Sequence, residues 1–228
     1  MVLKEKDFIE IKFTGKVKDG EIFDSNIKED LEKIQNQNPV EAKDFVFCLG
    51  QGMFLKSLDD FLIGKPETEK NYDVVLPPEK AFGNRDPGLI QRIPSRIFKE
   101  HKIAPFPGIT FNFDGRAGKV LTVSGGRVMV DFNHGLAGKD IEYKIKLIRK
   151  VIDEKEKIKS LNDFFFRKSL NFEVRENKLI FNLDKEDDQL KNLIELLKDK
   201  YKEMLNLEVE VKVGEVKEEK KKEDKKSQ

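Results

Sequence analysis

The sequence contains very few of the residues that build disulfides, metal sites and polar aromatic clusters. Its 228 residues include one cysteine, Cys48, two histidines, three tyrosines and no tryptophan. A single cysteine excludes an intramolecular disulfide and favours a reducing compartment. The two histidines, His101 and His134, are too far apart in sequence to give the spacing of a metal site. We therefore expect no metal, no cofactor and a cytoplasmic location.

Long apolar runs and an excess of one charge are also missing. No apolar run approaches 18 residues, and the segment Met1–Asp7 is charged and lacks the apolar core of a signal peptide. The 44 basic side chains are balanced by 43 acidic ones, whereas a dedicated nucleic-acid binder would show a basic excess. We expect neither a membrane nor a nucleic acid among the partners.

The best-known catalytic sequence motifs are absent as well. The chain has no Walker loop, no Rossmann glycine fingerprint and no Gly-x-Ser-x-Gly nucleophile elbow. An enzyme built on this sequence would need no nucleophile and no redox group. What is abundant is phenylalanine, with 18 residues. Phenylalanine buries a large area without a polar group, so this number indicates crowded small cores or apolar binding surfaces.

Periodicity predicts an α+β fold. Ile9, Ile11 and Phe13 alternate with polar residues, as in a half-buried strand, and Asp19-Gly20 is a strong hairpin turn. Phe54, Leu55, Leu58, Phe61 and Leu62 recur at helical spacing. The predicted elements are strands at 8–17, 21–24, 45–49, 72–76 and 141–151, one short helix near 53–63, and an insertion at 26–44.

Composition divides the chain into parts. We expect residues 1–84 and 132–152 to form the first domain and residues 85–131 to form a small β-rich domain inserted into it, with Asn84 and Phe132 close together. Residues 153–213 form a C-terminal α+β domain with two helical stripes, the second capped by Asp184, and a last strand near 207–213. The charged tail 214–228 is expected to be disordered.

Four segments in order resemble one known family. They are Phe13-Thr14-Gly15 with Asp19-Gly20 and Phe23-Asp24-Ser25, then Phe45-x-Phe47-x-Leu49-Gly50-Gln51-Gly52, then Leu76-Pro77-Pro78-Glu79-Lys80-Ala81-Phe82-Gly83, and finally Asn133-His134-Gly135-Leu136-Ala137-Gly138-Lys139. Together they are similar to FKBP-type peptidyl-prolyl cis/trans isomerases of the SlyD-like branch. Phe82 stands where that family usually has a tyrosine, and the histidine-rich metal-binding tail of the bacterial members is absent.

The resemblance implies a fold and a domain order. The fold would be an FKBP-like curved antiparallel sheet with one short helix. Residues 85–131 occupy the place of the insert-in-flap chaperone domain, and the chain after 153 resembles the extra C-terminal domain of long archaeal members. The implied activity is cis/trans isomerisation of X–Pro bonds together with ATP-independent binding of unfolded, proline-containing polypeptides.

The resemblance also implies site residues. An apolar pocket would consist of Phe13, Phe23, Phe45, Phe54, Leu55, Leu58, Phe82 and Tyr143, with Asp24 at its edge and Leu136 and Ala137 on a flap. Without the family match, Phe13, Phe23, Phe45 and Tyr143 could equally be sheet-core residues, and Asp24 a turn cap. The proposed client-binding residues of the insert are Ile90, Ile93, Phe98, Phe111, Phe113 and Met129; filling the insert core is the equal alternative for them.

Two further functions stay open. One is a catalytically weak FKBP-like holdase that only binds non-native chains. The other is a structural protein dominated by its C-terminal domain. That domain carries the run Phe164-Phe165-Phe166, two alternating strands and an amphipathic helix in about 60 residues, more apolar surface than a domain of this size can bury. We therefore expect a homodimer through roughly 155–213, with a twofold contact that covers an edge strand.

Overall fold

Burial along the first strand follows the two-residue period of the sequence. Ile9, Ile11 and Phe13 are buried, while the residues between them are partly exposed. The structure is a computed structural model that describes residues 1–34, 42–113, 115–183 and 187–213. The strands are β1 Phe8–Val17, β2 Ile22–Ser25, β3 Phe45–Cys48, β4 Lys70–Leu76, β5 Ile90–Pro94, β6 Thr110–Phe113, β7 Arg116–Ser124, β8 Arg127–Asp131, β9 Ile141–Val151, β10 Phe172–Arg175, β11 Lys178–Leu183 and β12 Glu208–Val213.

The helices are short except near the C-terminus. They are α1 Lys28–Leu31, α2 Lys56–Leu62, α3 Ser95–Glu100, α4 Glu154–Phe166 and α5 Asp188–Leu205. The predicted strands and the α+β class are confirmed, while α2 is shorter than the predicted 53–63 because Leu55 still has an extended backbone. In the predicted insertion at 26–44 the structure has α1; residues 35–41 of that insertion lie outside the described ranges.

The chain divides into two compact units. One contains residues 1–11, 44–69 and the chain from 147 onwards; the other contains residues 12–43 and 70–146. The first sheet has the order β2-β1-β9-β4, with β3 also paired to β1. β1 and β2 are antiparallel, with Thr14 opposite Ser25, and their register shifts after Gly15.

The second sheet is continuous in sequence and has the order β5-β8-β7-β6. Phe98, Val120, Val128 and Val130 form its buried core. Helix α3 was missed in the sequence because Pro94 interrupts the apolar pattern; Pro94 ends β5, and α3 begins at the next residue and buries Phe98. Near the two ends of this segment, the Phe132 N–H donates to the Leu89 carbonyl at 3.0 Å and the Asp86 N–H donates to Oδ1 of Asn133 at 2.8 Å; the closeness of Asn84 itself to Phe132 stays a prediction.

The C-terminal part contains the third sheet, in the order β10-β11-β12. β10 and β11 form the predicted hairpin, with positive φ at Glu176 and Asn177. β12 is parallel to β11 and has no second neighbour in the described sheet, as the expected edge strand requires. Within the same unit, α4 packs against β3.

The predicted cap of α5 was wrong. The side chain of Asp187 caps α5 by accepting from the Leu190 N–H at 3.0 Å. Asp184, the predicted cap, lies outside the described residues, as does the tail 214–228. Several acidic residues precede this helix, and an N-cap is fixed only by the residue at which the helix begins. None of the helices in the described ranges is long and apolar enough to cross a lipid bilayer.

Candidate functional site

Four of the predicted pocket residues form one aromatic cluster in the second unit. The ring of Phe23 makes edge-to-face contacts with Phe82, at 5.6 Å between centroids, and with Tyr143, at 6.0 Å. Phe13 lies 6.3 Å from Tyr143. These distances and tilts are those of attractive aromatic pairs. The structure therefore brings Phe13, Phe23, Phe82 and Tyr143 together.

Gly15 is the reason that two of these rings can approach the strand. A Cβ atom at Gly15 would lie 2.8 Å from Cε1 of Tyr143 and 3.1 Å from Cζ of Phe23. No side chain fits in that space without displacing the rings. The family-like motif Phe13-Thr14-Gly15 contained this residue, but its role in packing the rings is visible only in three dimensions.

Asp24 is the acidic residue beside this cluster. It is exposed over more than a third of its surface, yet nearby protein atoms desolvate its carboxyl group and raise its pKa, against the lowering effect of the Ser25 N–H. Burial also raises the pKa of Tyr143, and the charge of Asp24 raises it further. The arrangement can offer a polar acceptor at the edge of an apolar surface.

Residues that follow Asp24 form hydrogen bonds with β1. The Phe13 N–H donates to Oδ1 of Asn26 at 2.7 Å, and the Ser25 hydroxyl lies 2.9 Å from the Phe13 carbonyl. The hydroxyl of Thr14 donates to Asp30. Partial burial alone would raise the pKa of Asp30, but hydrogen bonds from Thr14, Lys33 and Ser25 outweigh it and lower the pKa. Sequence reasoning missed Asn26 and Asp30, because their partners lie on another strand.

The loop after β8 carries the two predicted flap residues. Leu136 and Ala137 are half-buried, and the Gly138 N–H donates to the Gly83 carbonyl at 2.8 Å, next to Phe82. The ring of His134 stacks on Phe82, with centroids 4.9 Å apart and planes 11° from parallel. His134 was part of the motif that carries the resemblance, but nothing in the sequence indicated that it touches Phe82.

The other predicted pocket residues belong to the first unit. Phe45 and Phe54 are 5.7 Å apart, and both contact Phe47, at 5.0 and 5.4 Å. Leu58 on α2 is fully buried, and Leu55 just before it is partly buried. Phe45, Phe47 and Phe54 thus form an aromatic cluster within this unit. Contact of Phe45, Phe54, Leu55 and Leu58 with a substrate stays a prediction.

The predicted client-binding residues of the insert divide by exposure. Phe98 is completely buried, so it fills the core and has no surface to offer a client in this conformation. Phe111 and Phe113 contact Phe98 but remain partly exposed on the edge strand β6. The other three, Ile90, Ile93 and Met129, are partly exposed.

Cys48 and the neighbouring Asp59 are buried. Burial, followed by the charge of Asp59, raises the pKa of the Cys48 thiol to about 12, so this cysteine stays protonated and unreactive near neutral pH. Burial raises the pKa of Asp59 to about 6, against hydrogen bonds from the N–H groups of Gly50 and Gly52 that lower it. In the described ranges no group of three His, Cys, Asp or Glu side chains could hold a metal ion.

Two family models match the sequence. A model described as FKBP-type peptidyl-prolyl cis-trans isomerase matches residues 2–99. A second, described as the IF domain of FKBP26, matches residues 91–136. The second match includes all four strands of the insert sheet except the first residue of β5.

Individual relatives agree with these models. The chain is 31% identical over 147 residues to a short-type peptidyl-prolyl cis-trans isomerase of Methanocaldococcus jannaschii. The aligned residues make up 64% of this chain and 92% of that protein. It is 33% identical over 112 residues to the FKBP-type isomerase SlyD of Aeromonas hydrophila, with 47% of this chain and 51% of that protein covered. It is 36% identical over 91 residues to human FKBP2, with 40% and 54% covered. The chain thus spans about half the length of the last two.

Proposed function

Because the chain belongs to the FKBP-type peptidyl-prolyl cis-trans isomerase family, we propose that it catalyses the cis/trans isomerisation of X–Pro bonds. The proposed site is the cluster of Phe13, Phe23, Phe82 and Tyr143. The observation that carries this is the apolar ring cluster with a desolvated carboxyl group, Asp24, at its side. No nucleophile is needed, because the bond that rotates is not cleaved.

The physics of the reaction fits an apolar site. Rotation about an X–Pro bond has a barrier of about 20 kcal/mol, and the uncatalysed exchange takes tens of seconds or longer. The planar amide is more charge-separated than the twisted transition state. An apolar surface therefore disfavours the planar ground state more than the twisted one, and a surface shaped to the twisted bond adds selective binding. The half-buried rings of Phe23 and Phe82 supply such a surface, and the buried rings of Phe13 and Tyr143 pack behind them.

The test is catalysis by the full-length chain on a short proline peptide. A protease-coupled assay should show exchange that is faster than the uncatalysed rate and first order in protein. A protein that does not accelerate exchange in this assay would be a holdase at most. The holdase reading is favoured by one observation, the missing hydroxyl group at Phe82, which removes a donor that most family members have.

The second part of the proposal is that residues 85–131 bind unfolded chains. β6 is an edge strand of the described insert sheet, so its outer backbone groups can pair with an extended segment. Phe111 and Phe113 on that strand are partly exposed, and Phe106 just before it is 58% exposed. An apolar edge of this kind suits non-native polypeptides, which expose both apolar side chains and unpaired backbone.

Suppression of aggregation separates this binding from isomerisation. Phe113→Ser in the full chain should weaken suppression of a non-native client while the rate on a short peptide is kept. Val123→Ser, which changes an exposed apolar residue of β7, is the matched control. Replacement of the insert by a short linker should abolish suppression. Intact suppression after that replacement would overturn the chaperone assignment.

The third part is a twofold homodimer through the C-terminal part. The run Phe164-Phe165-Phe166 is largely used inside the protomer, since Phe165 contacts Tyr201 and Phe166 contacts Phe181. Exposed apolar side chains remain at Phe164, which is 39% exposed, and on one face of α5, where Leu193 and Leu196 are 39% and 79% exposed; the edge strand β12 is also unpaired on one side in the described sheet. A twofold contact between copies would cover both without open-ended growth.

Light scattering tests the dimer. The full chain should have about twice the mass of one protomer, which is 26.5 kDa, at tens of micromolar, and Leu196→Glu should return it to the monomer. A wild-type chain that is monomeric at this concentration would overturn the dimer. A cytoplasmic location is part of the same proposal and is supported by the single, buried and unreactive thiol of Cys48.

A further inference from the structure

We infer that His134 is a positioning residue of the isomerase site, which holds the Phe82 ring and the Leu136–Ala137 loop in one arrangement before substrate arrives. This inference rests on the proposed isomerase function. It is carried by two contacts that the imidazole makes at once: its face stacks on Phe82, and its Nδ1 atom accepts a hydrogen bond from the Leu136 N–H at 3.2 Å.

The ring of His134 stacks on Phe82, which is itself a member of the aromatic cluster. Phe82 is held on one side by His134 at 4.9 Å and meets Phe23 edge-to-face at 5.6 Å. Phe23 in turn contacts Tyr143 at 6.0 Å. Phe82 is only partly buried, so burial in the protein core does not by itself fix the rotation of its ring. A flat neighbour at van der Waals distance restricts that rotation.

The hydrogen bond fixes the loop. To accept from the Leu136 N–H, Nδ1 must be unprotonated, so the proton of the neutral ring is on Nε2. The His134 carbonyl also accepts from the Ala137 N–H at 2.9 Å. Side chain and backbone of His134 thus each hold one of the two flap residues.

The backbone of His134 is itself anchored by the residue before it. The Asn133 side chain accepts from the Asp86 N–H at 2.8 Å and donates to the Asp86 carbonyl at 3.0 Å, and the Asn133 N–H donates to Asp131 at 3.0 Å. His134 therefore projects from a fixed point at the exit of the insert. A residue can orient a ring and a loop only if its own backbone is held in place, and the hydrogen bonds of Asn133 hold the backbone of His134.

The kinetic consequence is specific. Loss of His134 should lower the fraction of free enzyme in the competent arrangement, and the apparent affinity for substrate falls by that fraction. Bound substrate restores the arrangement, so turnover of the complex is kept. Each of the two contacts has the strength of one weak interaction, so we expect His134→Ala to raise KM about five-fold with kcat changed less than about two-fold.

Two partial variants separate the contacts. His134→Phe keeps a flat ring over Phe82 and removes the acceptor, whereas His134→Asn keeps an acceptor of similar reach and removes the ring. Each should recover part of the KM that His134→Ala loses. His101→Ala is the matched control: it changes the only other histidine, an exposed residue of the insert, and should leave the KM of a short peptide unchanged.

The experiment is steady-state isomerase kinetics of the full-length chain and these variants on a short proline peptide, with thermal unfolding as a check on folding. A rise in KM with partial rescue supports the inference. If folded His134→Ala has an unchanged KM, or loses about five-fold in kcat with no rise in KM, the inference is overturned while the isomerase function stands. A wild-type chain without isomerase activity overturns both.

Discussion

Asp24 and Tyr143 are electrostatically linked, because the charge of the Asp24 carboxylate adds to burial in raising the pKa of the Tyr143 phenol. The carboxyl group of Asp24 is itself desolvated, which raises its own pKa. Two polar groups, one on β2 and one on β9 with β1 between these strands, thus share an environment that is otherwise rich in phenylalanine rings. A site that binds a nearly neutral twisted amide requires such a balance of apolar surface and a few polar groups.

We predict that Asp24→Ala lowers isomerase activity without unfolding the chain. Asp24 is on the short edge strand β2 and more than a third exposed, so its removal costs little packing. We expect kcat/KM on a proline peptide to fall about ten-fold, equivalent to about 1.4 kcal/mol of transition-state stabilisation. Asp73→Ala, at an exposed aspartate of β4, is the control. Unchanged activity of Asp24→Ala would remove Asp24 from the mechanism.

We predict that Gly15→Ala destabilises the aromatic cluster. The new methyl group would lie 2.8 Å from Cε1 of Tyr143, so the ring or the strand must shift. Overpacking of this kind typically costs about 1 to 3 kcal/mol in the free energy of unfolding. Urea unfolding measures the loss. In a Tyr143→Leu background the same substitution should cost clearly less, and an equal cost in both backgrounds would contradict the steric explanation.

We predict a pH-dependent stability that originates at Asp59. Its folded-state pKa is about 6, whereas an unfolded aspartate has a pKa of about 4. Between these values the folded chain keeps a proton that the unfolded chain releases. The free energy of unfolding contributed by this group therefore falls as the pH rises through the window, by about 3 kcal/mol in total.

The test is urea unfolding of the wild type and Asp59→Asn at pH 4 and pH 7. The variant should gain stability relative to the wild type as the pH rises. Asp60→Asn should show little of this gain, since Asp60 is exposed and its charge makes the smallest contribution to the Asp59 shift. A relative stability of Asp59→Asn that does not change with pH would show that the carboxyl group titrates normally.

We predict that Tyr201→Phe destabilises the C-terminal part. The Tyr201 hydroxyl donates to Oδ1 of the buried Asn162 at 2.8 Å, while Nδ2 of Asn162 has no partner among the described residues. Removal of the hydroxyl leaves a buried amide unsatisfied, at a cost of about 1 to 3 kcal/mol. The double variant Tyr201→Phe, Asn162→Leu should recover much of that loss. Thermal unfolding measures both, and a single variant as stable as the wild type would contradict the prediction.

The sequence predicted the parts of the fold that depend on local pattern. The alternation of Ile9, Ile11 and Phe13 is enough to place β1, and Asp19 adopts the positive φ that its turn requires. Helix α3 could not be found in the same way. It is a six-residue helix after a proline, and the burial of Phe98 stabilises it more than helix propensity does.

The site was predictable to the extent that motifs carry it. Phe13, Phe23, Phe82 and Tyr143 were expected to meet, and the structure brings them together. The contact of Phe82 with His134 could not be predicted, because the insert separates the two residues in sequence and only the closure of its ends brings them side by side. The exposure of the insert phenylalanines could not be predicted from the sequence either. Phe98 on α3 is completely buried, whereas Phe113 on β6 is partly exposed.

The nesting of the insert sheet has a consequence for synthesis on the ribosome. Within the described ranges, its four strands pair with one another and the last of them ends at Asp131, whereas β1 must wait for β9, which ends at Val151, 20 residues later (151 − 131). At a translation rate of roughly 5 to 20 residues per second, the insert is complete about one to four seconds before its host sheet can close. When an insert is complete, the host sheet of the same nascent chain is still open. The first unfolded polypeptide near each new insert is therefore the rest of its own chain.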